Sequence, residues 1–293
     1  MATPHRLRLA TGVDLDVWTA GDPANPPVLF LHGFPESHRT WRHQMAGLAD
    51  HYYCIAPDQR GYARSDKPAD IAAYRVPILV ADVLAVADAL GIAQFTLVGH
   101  DWGGAVAWAT ALKHPDRVMR LIQCNAAHPY VFQRTLVFDP AQRAASQYIT
   151  EFRNRDIEGE VAEKGVAWFF EDRFAKISGG AISATDRAAY IDEWSQPGAL
   201  RGMLNWYRAS PLHVPAMDAP AISTPFLDAP FPQLAMPVLV IWGLKDEALL
   251  PCQLDGLDTH ILNLTIVRVP DAGHFIPWEQ PEAVTKAMRD WLA

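Results

Sequence analysis

The chain is poor in cysteine. It has three in 293 residues, Cys54, Cys124 and Cys252, widely spaced and odd in number. That excludes a disulfide framework and offers no zinc-ligand spacing, so buried, reduced thiols are expected. Long apolar runs are missing too: no stretch is long enough to serve as a bilayer-spanning helix. Met1 to Ala10 carries basic residues but no apolar segment of the kind that forms a secretory signal. A cytoplasmic protein with no membrane partner is expected. Positive charge is in deficit, with 25 Lys and Arg against 33 Asp and Glu, net -8. With no Lys/Arg cluster either, nucleic acid is excluded as a partner. There is no internal repeat and no low-complexity tract. Hydrophobic residues, by contrast, make up 50% of the chain, enough for one large core or a core with a subdomain.

Alternating residues over Arg6 to Ala10 and Val13 to Thr19, around Thr11-Gly12, predict an opening hairpin. Pro27 to Leu31, Tyr52 to Ala56, Phe95 to Val98 and Val238 to Trp242 are continuously apolar, as parallel strands covered on both faces should be. Helical patterns lie between them at Arg39 to Ala49, Ile78 to Leu90 and Ala105 to Lys113. The alternation predicts a doubly wound α/β fold. After the strand Arg120 to Cys124 it stops for about a hundred residues, too many for an unstructured loop. Gln142 to Phe152, Glu158 to Phe170, Ala184 to Glu193 and Gly198 to Arg208 read as helices, and a proline-rich stretch, Pro211 to Pro237, leads back to the sheet. The expected organisation is a core of residues 1–126 and 237–293 with a helical cap of residues 127–236. Leu264 to Val269 and Pro281 to Leu292 read as the last strand and helix.

Thr96-Leu97-Val98-Gly99-His100-Asp101-Trp102-Gly103-Gly104 is a strand running into a glycine-rich turn, with Asp101 at the point where a nucleophile elbow lifts a side chain out of the sheet. Such turns commonly hold serine, which needs a base and attacks acyl carbon. Aspartate is ionised at neutral pH. On an acyl group it would give an unproductive anhydride, whereas on a saturated carbon bearing a leaving group it gives an alkyl ester. Epoxides and haloalkanes are substrates of that kind. The bland alternative is an acidic helix N-cap.

An alkyl ester of Asp101 must be hydrolysed, for which a histidine oriented by a carboxylate suits neutral pH. His274, in Asp271-Ala272-Gly273-His274-Phe275, follows the last strand at the sheet end where catalytic groups gather. Asp246, after Val238 to Trp242, is the candidate acid, with Glu247 adjacent; the other strand end able to carry an acid holds Asn125. His32-Gly33-Phe34-Pro35 permits a tight loop whose Phe34 amide, with that of Trp102, forms a candidate oxyanion hole.

His32-Gly33-Phe34-Pro35-Glu36-Ser37, Gly99-His100-Asp101-Trp102-Gly103-Gly104 and Gly273-His274 resemble the α/β-hydrolase-fold epoxide hydrolases, and the resemblance spans nearly the whole chain. It implies that fold, with an inserted α-helical cap, and conversion of a small-molecule epoxide to a vicinal diol without metal or organic cofactor. In the family two cap tyrosines hydrogen-bond the epoxide oxygen. Asn205-Trp206-Tyr207-Arg208 resembles the second tyrosine motif, which assigns Tyr207, and Tyr148 is chosen for the first, with Tyr190 as its rival. Candidate substrate-binding residues are His32, Pro35, Trp168, Trp206 and Phe275. Phe169, Phe170 and Trp194 also supply aromatic rings for pocket or packing. The alternative is a haloalkane or haloacid dehalogenase. Phe34 stands where haloalkane dehalogenases commonly hold a halide-binding asparagine, and Trp102 where fluoroacetate dehalogenases hold an arginine. A non-catalytic small-molecule-binding relative is the second alternative, and a monomer or homodimer is expected.

Overall fold

The computed structural model describes residues 2–176 and 182–293. Eight strands form one sheet: β1 Thr3–Arg8, β2 Asp14–Ala20, β3 Pro27–Leu31, β4 Tyr53–Pro57, β5 Phe95–His100, β6 Val118–Cys124, β7 Val238–Gly243 and β8 Leu264–Val269. Their order is β1-β2-β4-β3-β5-β6-β7-β8. The pairs β1/β2 and β2/β4 are antiparallel and the others parallel. Every residue of β4, β5 and β7 is buried, which explains their unbroken apolar sequence. β1 is largely exposed and forms one edge; there Arg6 pairs with Asp16 and Arg8 with Asp14 of β2. β3 lies between β4 and β5, so the winding reverses there, and the carboxyl ends of β3 and β5 are where a doubly wound sheet places a site.

The helices are α1 Arg42–Leu48, α2 Val76–Ala89, α3 Asp101–Lys113, α4 Pro129–Phe138, α5 Pro140–Ala145, α6 Gln147–Asn154, α7 Ile157–Lys164, α8 Val166–Phe169, α9 Ala184–Trp194, α10 Ala199–Ala209, α11 Pro225–Asp228, α12 Ile276–Glu279 and α13 Pro281–Leu292. Alternate strand residues feed two cores. Val28, Phe30, Val98, Leu239 and Ile241 pack with Met45, Leu48, Val284 and Met288 of α1 and α13. Leu29, Leu31, Leu97 and Val240 pack with Val83, Val86 and Val106 of α2 and α3. Each such fully buried aliphatic side chain contributes roughly 1.5–3 kcal/mol. Among the described residues no helix is long and apolar enough to cross a membrane.

Several helices differ from the sequence expectation. The pattern over Arg39 to Ala49 is a 3-10 turn, His38–Trp41, followed by α1. Gln142 to Phe152 divides at Ser146 into α5 and α6, and Glu158 to Phe170 divides at Gly165, whose φ of 89° suits glycine. α8 then runs into a π-helical turn, Phe170–Ala175. α4 was not expected. Its sequence, PYVFQRTLVF, is rich in β-branched and aromatic residues, and its start is set by Pro129, whose fixed φ fits a first helical turn.

Candidate active site

β5 passes directly into α3 at Asp101, whose φ of 50° lies in the left-handed region. For a non-glycine residue that conformation costs on the order of 1–3 kcal/mol and must be held by its surroundings. The neighbouring glycines allow the approach: a Cβ on Gly33 would lie 2.5 Å from Asp101 Cβ, and one on Gly99 2.5 Å from Gly104 Cα. The helix starts four residues earlier than the sequence pattern suggests because Gly103 and Gly104 mask its first turn.

The Phe34 N–H donates to Asp101 Oδ1 at 2.8 Å, and His274 Nε2 lies 3.6 Å from Oδ2. Burial alone would raise the Asp101 carboxyl, but His274, the charge of His100 and the Phe34 N–H outweigh it and hold it below the ordinary aspartate range. The Trp102 amide belongs to the first turn of α3, where N–H groups have no intrahelical acceptor.

His274 Nδ1 lies 2.8 Å from Asp246 Oδ2. Asp246 is buried; its Oδ1 accepts from the Ala248 and Leu249 amides at 2.8 and 2.9 Å. Asn125 Nδ2 donates to Asp246 Oδ2 at 2.7 Å, while Asn125 Oδ1 accepts from the Gly243 amide. The position that lacks an acid therefore supplies a donor to the acid. Glu247 is exposed. Burial opposes a charge on His274, yet Asp246 and Asp101 together hold its imidazole well above the usual histidine range. Glu279 accepts from the Gly273 and Phe275 amides and so brackets the histidine turn.

Behind the pair lies a second buried chain that the sequence reading did not anticipate. His100 Nε2 bonds the His274 carbonyl at 2.8 Å, and its Nδ1 lies 3.5 Å from Glu36 Oε2. Glu36 Oε1 accepts from the Tyr190 hydroxyl at 3.0 Å and from Trp278 Nε1 at 2.8 Å. Burial works against the Glu36 charge, but His100 and the other donors keep its pKa below normal. Both Glu36 and His100 stand in the quoted motifs; their union across two loops was the missing information.

The aromatic groups meet at Tyr207. The ring of Tyr207 on α10 lies 5.0 Å from Phe34, 5.1 Å from Trp102, 4.9 Å from Phe152 and 6.2 Å from Tyr148. Burial, then the negative charges of Asp101 and Asp246, raise the Tyr148 phenol well above normal; burial, Tyr148 and Asp101 do the same for Tyr207. Tyr190, the rival of Tyr148, spends its hydroxyl on Glu36 instead.

The expected substrate-binding residues separate. Both ring nitrogens of His32 are engaged inside its loop, by Gln59 N and Gly33 O at 3.0 Å each, so this residue shapes the loop rather than facing a ligand. Trp206 is likewise committed: it is 1% exposed and donates from Nε1 to the Arg60 carbonyl. The Pro35 carbonyl accepts from Trp194 Nε1 at 2.6 Å. The Trp168 ring is covered by the Lys164 ammonium at 4.3 Å. Phe275 packs behind His274, 5.0 Å away, and against Phe174 and Trp278. Among the described residues no group of three or more His, Cys, Asp or Glu side chains is placed to hold a metal ion. Cys54 and Cys124 are buried free thiols, and Cys252 is half-buried.

The alpha/beta hydrolase fold family matches residues 26–281. The chain is 34% identical over 297 residues to the AB hydrolase superfamily protein YfhM of Bacillus subtilis (strain 168), covering 96% of this chain and 95% of that one. It is similar to a structure solved under the description "Novel epoxide hydrolases belonging to the alpha/beta hydrolases superfamily in metagenomes from hot environments", with 48% identity, a TM-score of 0.94 and coverage of 100% and 99% of the two chains. A Bacillus megaterium epoxide hydrolase solved with an inhibitor is 30% identical, with a TM-score of 0.87 and coverage of 98% and 99%. With an elbow at Asp101, the matched sheet and these relatives, the chain belongs to the α/β-hydrolase family and, within it, to the epoxide hydrolases.

Proposed function

We propose that this protein hydrolyses an epoxide to a vicinal diol through an ester of Asp101, with residues 127–236 acting as a cap on a core of residues 1–126 and 237–293. The observation that carries this reading is the division of the Asp101 carboxylate. One oxygen accepts the Phe34 N–H, the other faces His274, and the phenols of half-buried Tyr148 and buried Tyr207 feel its charge.

Asp101 attacks an epoxide carbon from the side opposite the ring oxygen, and that C–O bond breaks. Tyr148 and Tyr207 hydrogen-bond the departing oxygen, and one gives it a proton, leaving a hydroxyalkyl ester and a tyrosinate. Esterification removes one of the two anions that hold the proton on His274. Its proton passes to the tyrosinate, restoring the phenol, and the now neutral histidine is a base at the stage that needs one. It takes a proton from water, the hydroxide adds to the Asp101 carbonyl, and the Phe34 and Trp102 amides stabilise the oxyanion. Collapse expels the alkoxide, which takes the proton of the re-formed Asp101 acid to complete the diol, and leaves Asp101 ionised and His274 protonated as at the start.

The test is the intact mass of His274→Gln after incubation with an aromatic epoxide and, separately, with a bromoalkane. A mass gain equal to the whole epoxide, absent in Asp101→Asn, is the expected result. An alkyl adduct from the bromide alone would replace this reading with a dehalogenase, and no adduct from either would overturn the ester.

A further inference from the structure

Gln142 lies in α5, outside the catalytic constellation, and is 0% exposed. Its carboxamide is fully used. Nε2 donates to Ser146 Oγ at 2.9 Å and to the Ala248 carbonyl at 2.8 Å. Oε1 accepts from the Leu250 N–H at 2.9 Å and from Gln253 Nε2 at 3.0 Å. Gln253 in turn donates to Thr135 Oγ1 of α4 at 2.7 Å. The segment 244–250 between β7 and the next 3-10 turn has no regular structure of its own. Two side chains grip it: the Asp246 carboxylate through the Ala248 and Leu249 amides, and Gln142 through the Ala248 carbonyl and the Leu250 amide. Ser146, the other partner, is the N-cap of α6, two residues before Tyr148.

We propose that Gln142 is a positioning residue for the hydrolysis step, holding the Asp246 loop, and through it the His274 ring, in register with the helix that carries Tyr148. The inference rests on the Asp101-ester reading. A primary amide suits the task because it offers two donors and two acceptor sites at one point. Methionine at this position would have similar length and no strong hydrogen bonds. A glutamate would lose both donors.

His274 faces Asp246 and Asp101, the ring of His100 at 5.0 Å, and the charge of Glu279. In the ester Asp101 is neutral, so Asp246 becomes the principal anion supporting the histidine. Loosening its loop weakens that support. The base is then easier to deprotonate but less basic and less well aimed, so kcat falls while the acid limb of the kcat profile moves to lower pH.

The experiment compares wild type and Gln142→Met with an aromatic epoxide, by steady-state kinetics across pH and by intact mass during turnover. The expected result is a loss of about tenfold in kcat, one decade of the roughly 10²–10⁴ that a positioned base supplies. kcat/KM should change little, because it reports ester formation. The ester should accumulate, and the acid limb should shift down. A folded Gln142→Met with wild-type kcat, acid limb and ester level would overturn the proposal, as would equal losses in kcat and kcat/KM. If that variant does not fold, Leu250→Pro removes one bond of the grip at a φ of -66° that proline accepts, and the same shifts are expected at smaller size. A wild-type enzyme that turns over without any ester at Asp101 would instead remove the reading on which the inference stands.

Discussion

On the sheet side of the site, Asp101, His274 and Asp246 are held by hydrogen bonds from short loops, and both oxygens of Asp246 are engaged. On the helical side, Tyr148 and Tyr207 are held through their rings: Tyr207 meets Phe34, Trp102 and Tyr148 edge to face and Phe152 at a tilt, and Tyr148 meets Phe152 edge to face. Hydrogen bonds fix both the angle and the charge of a group. Ring packing fixes a side chain's place and constrains its hydroxyl less, although the Tyr207 hydroxyl also meets the Trp102 side chain. The two halves should therefore fail in different ways.

The sharpest way to break the comparison is to alter the tyrosines by one atom each. Tyr148→Phe with Tyr207→Phe keeps the ring packing and deletes both donors, so epoxide opening should slow by roughly 10²–10⁴ while the unfolding midpoint holds. Phe152→Ala is the converse. It leaves both hydroxyls and removes their packing, and should lower stability by about 3–5 kcal/mol in denaturant titration. A large activity loss with unchanged stability in Phe152→Ala would dissolve the distinction.

A smaller effect tests a ring cluster that contains no catalytic group. His128 lies against Trp108, Phe231 and His260, and neither ring nitrogen has a partner among the described residues. Burial, then the neighbouring His260, lowers its pKa to about 3. The folded protein holds it neutral, whereas the unfolded chain takes a proton below about 6.5. The unfolded state then binds more protons, so the full contribution exists above pH 6.5 and drains away as pH falls toward 3. Urea unfolding at pH 7 and 4.5 should show a His128-dependent loss of about 2–3 kcal/mol, absent in His128→Phe. The smallest effect is at the surface. Arg64–Asp192, with both side chains more than half exposed, should cost no more than about 1 kcal/mol on Arg64→Ala, measured the same way.

The sheet was legible because parallel strands covered on both faces leave unbroken apolar runs, and Leu264–Val269 coincides with β8 at both ends. Helix breaks at Ser146 and Gly165 were not, since each interrupts a continuous amphipathic pattern through local backbone geometry. α4 was missed because its β-branched and aromatic residues favour strands and only tertiary packing makes them helical. At the site, glycine spacing pointed to Asp101, and strand ends to His274 and Asp246. What single-chain reading could not supply was pairing across loops: Asn125 with Asp246, Glu36 with His100, Gln142 with the 246–250 segment. Such contacts join residues more than sixty positions apart and leave no periodic trace. The same limit applies to His32 and Trp206, whose polar atoms are taken by neighbouring backbone.

The first strand bears on how this protein tolerates its own company. β1 is one of the sheet's two edge strands, with one side of its backbone open to receive a strand from another molecule. It carries Pro4, which has no N–H to offer, and the charged guanidinium groups of Arg6 and Arg8, anchored to Asp16 and Asp14. A second copy that docked there edge to edge would meet a missing donor and bring like charges together. The hairpin thus guards this edge of the sheet against growing from one molecule into the next, a safeguard against aggregation at high concentration.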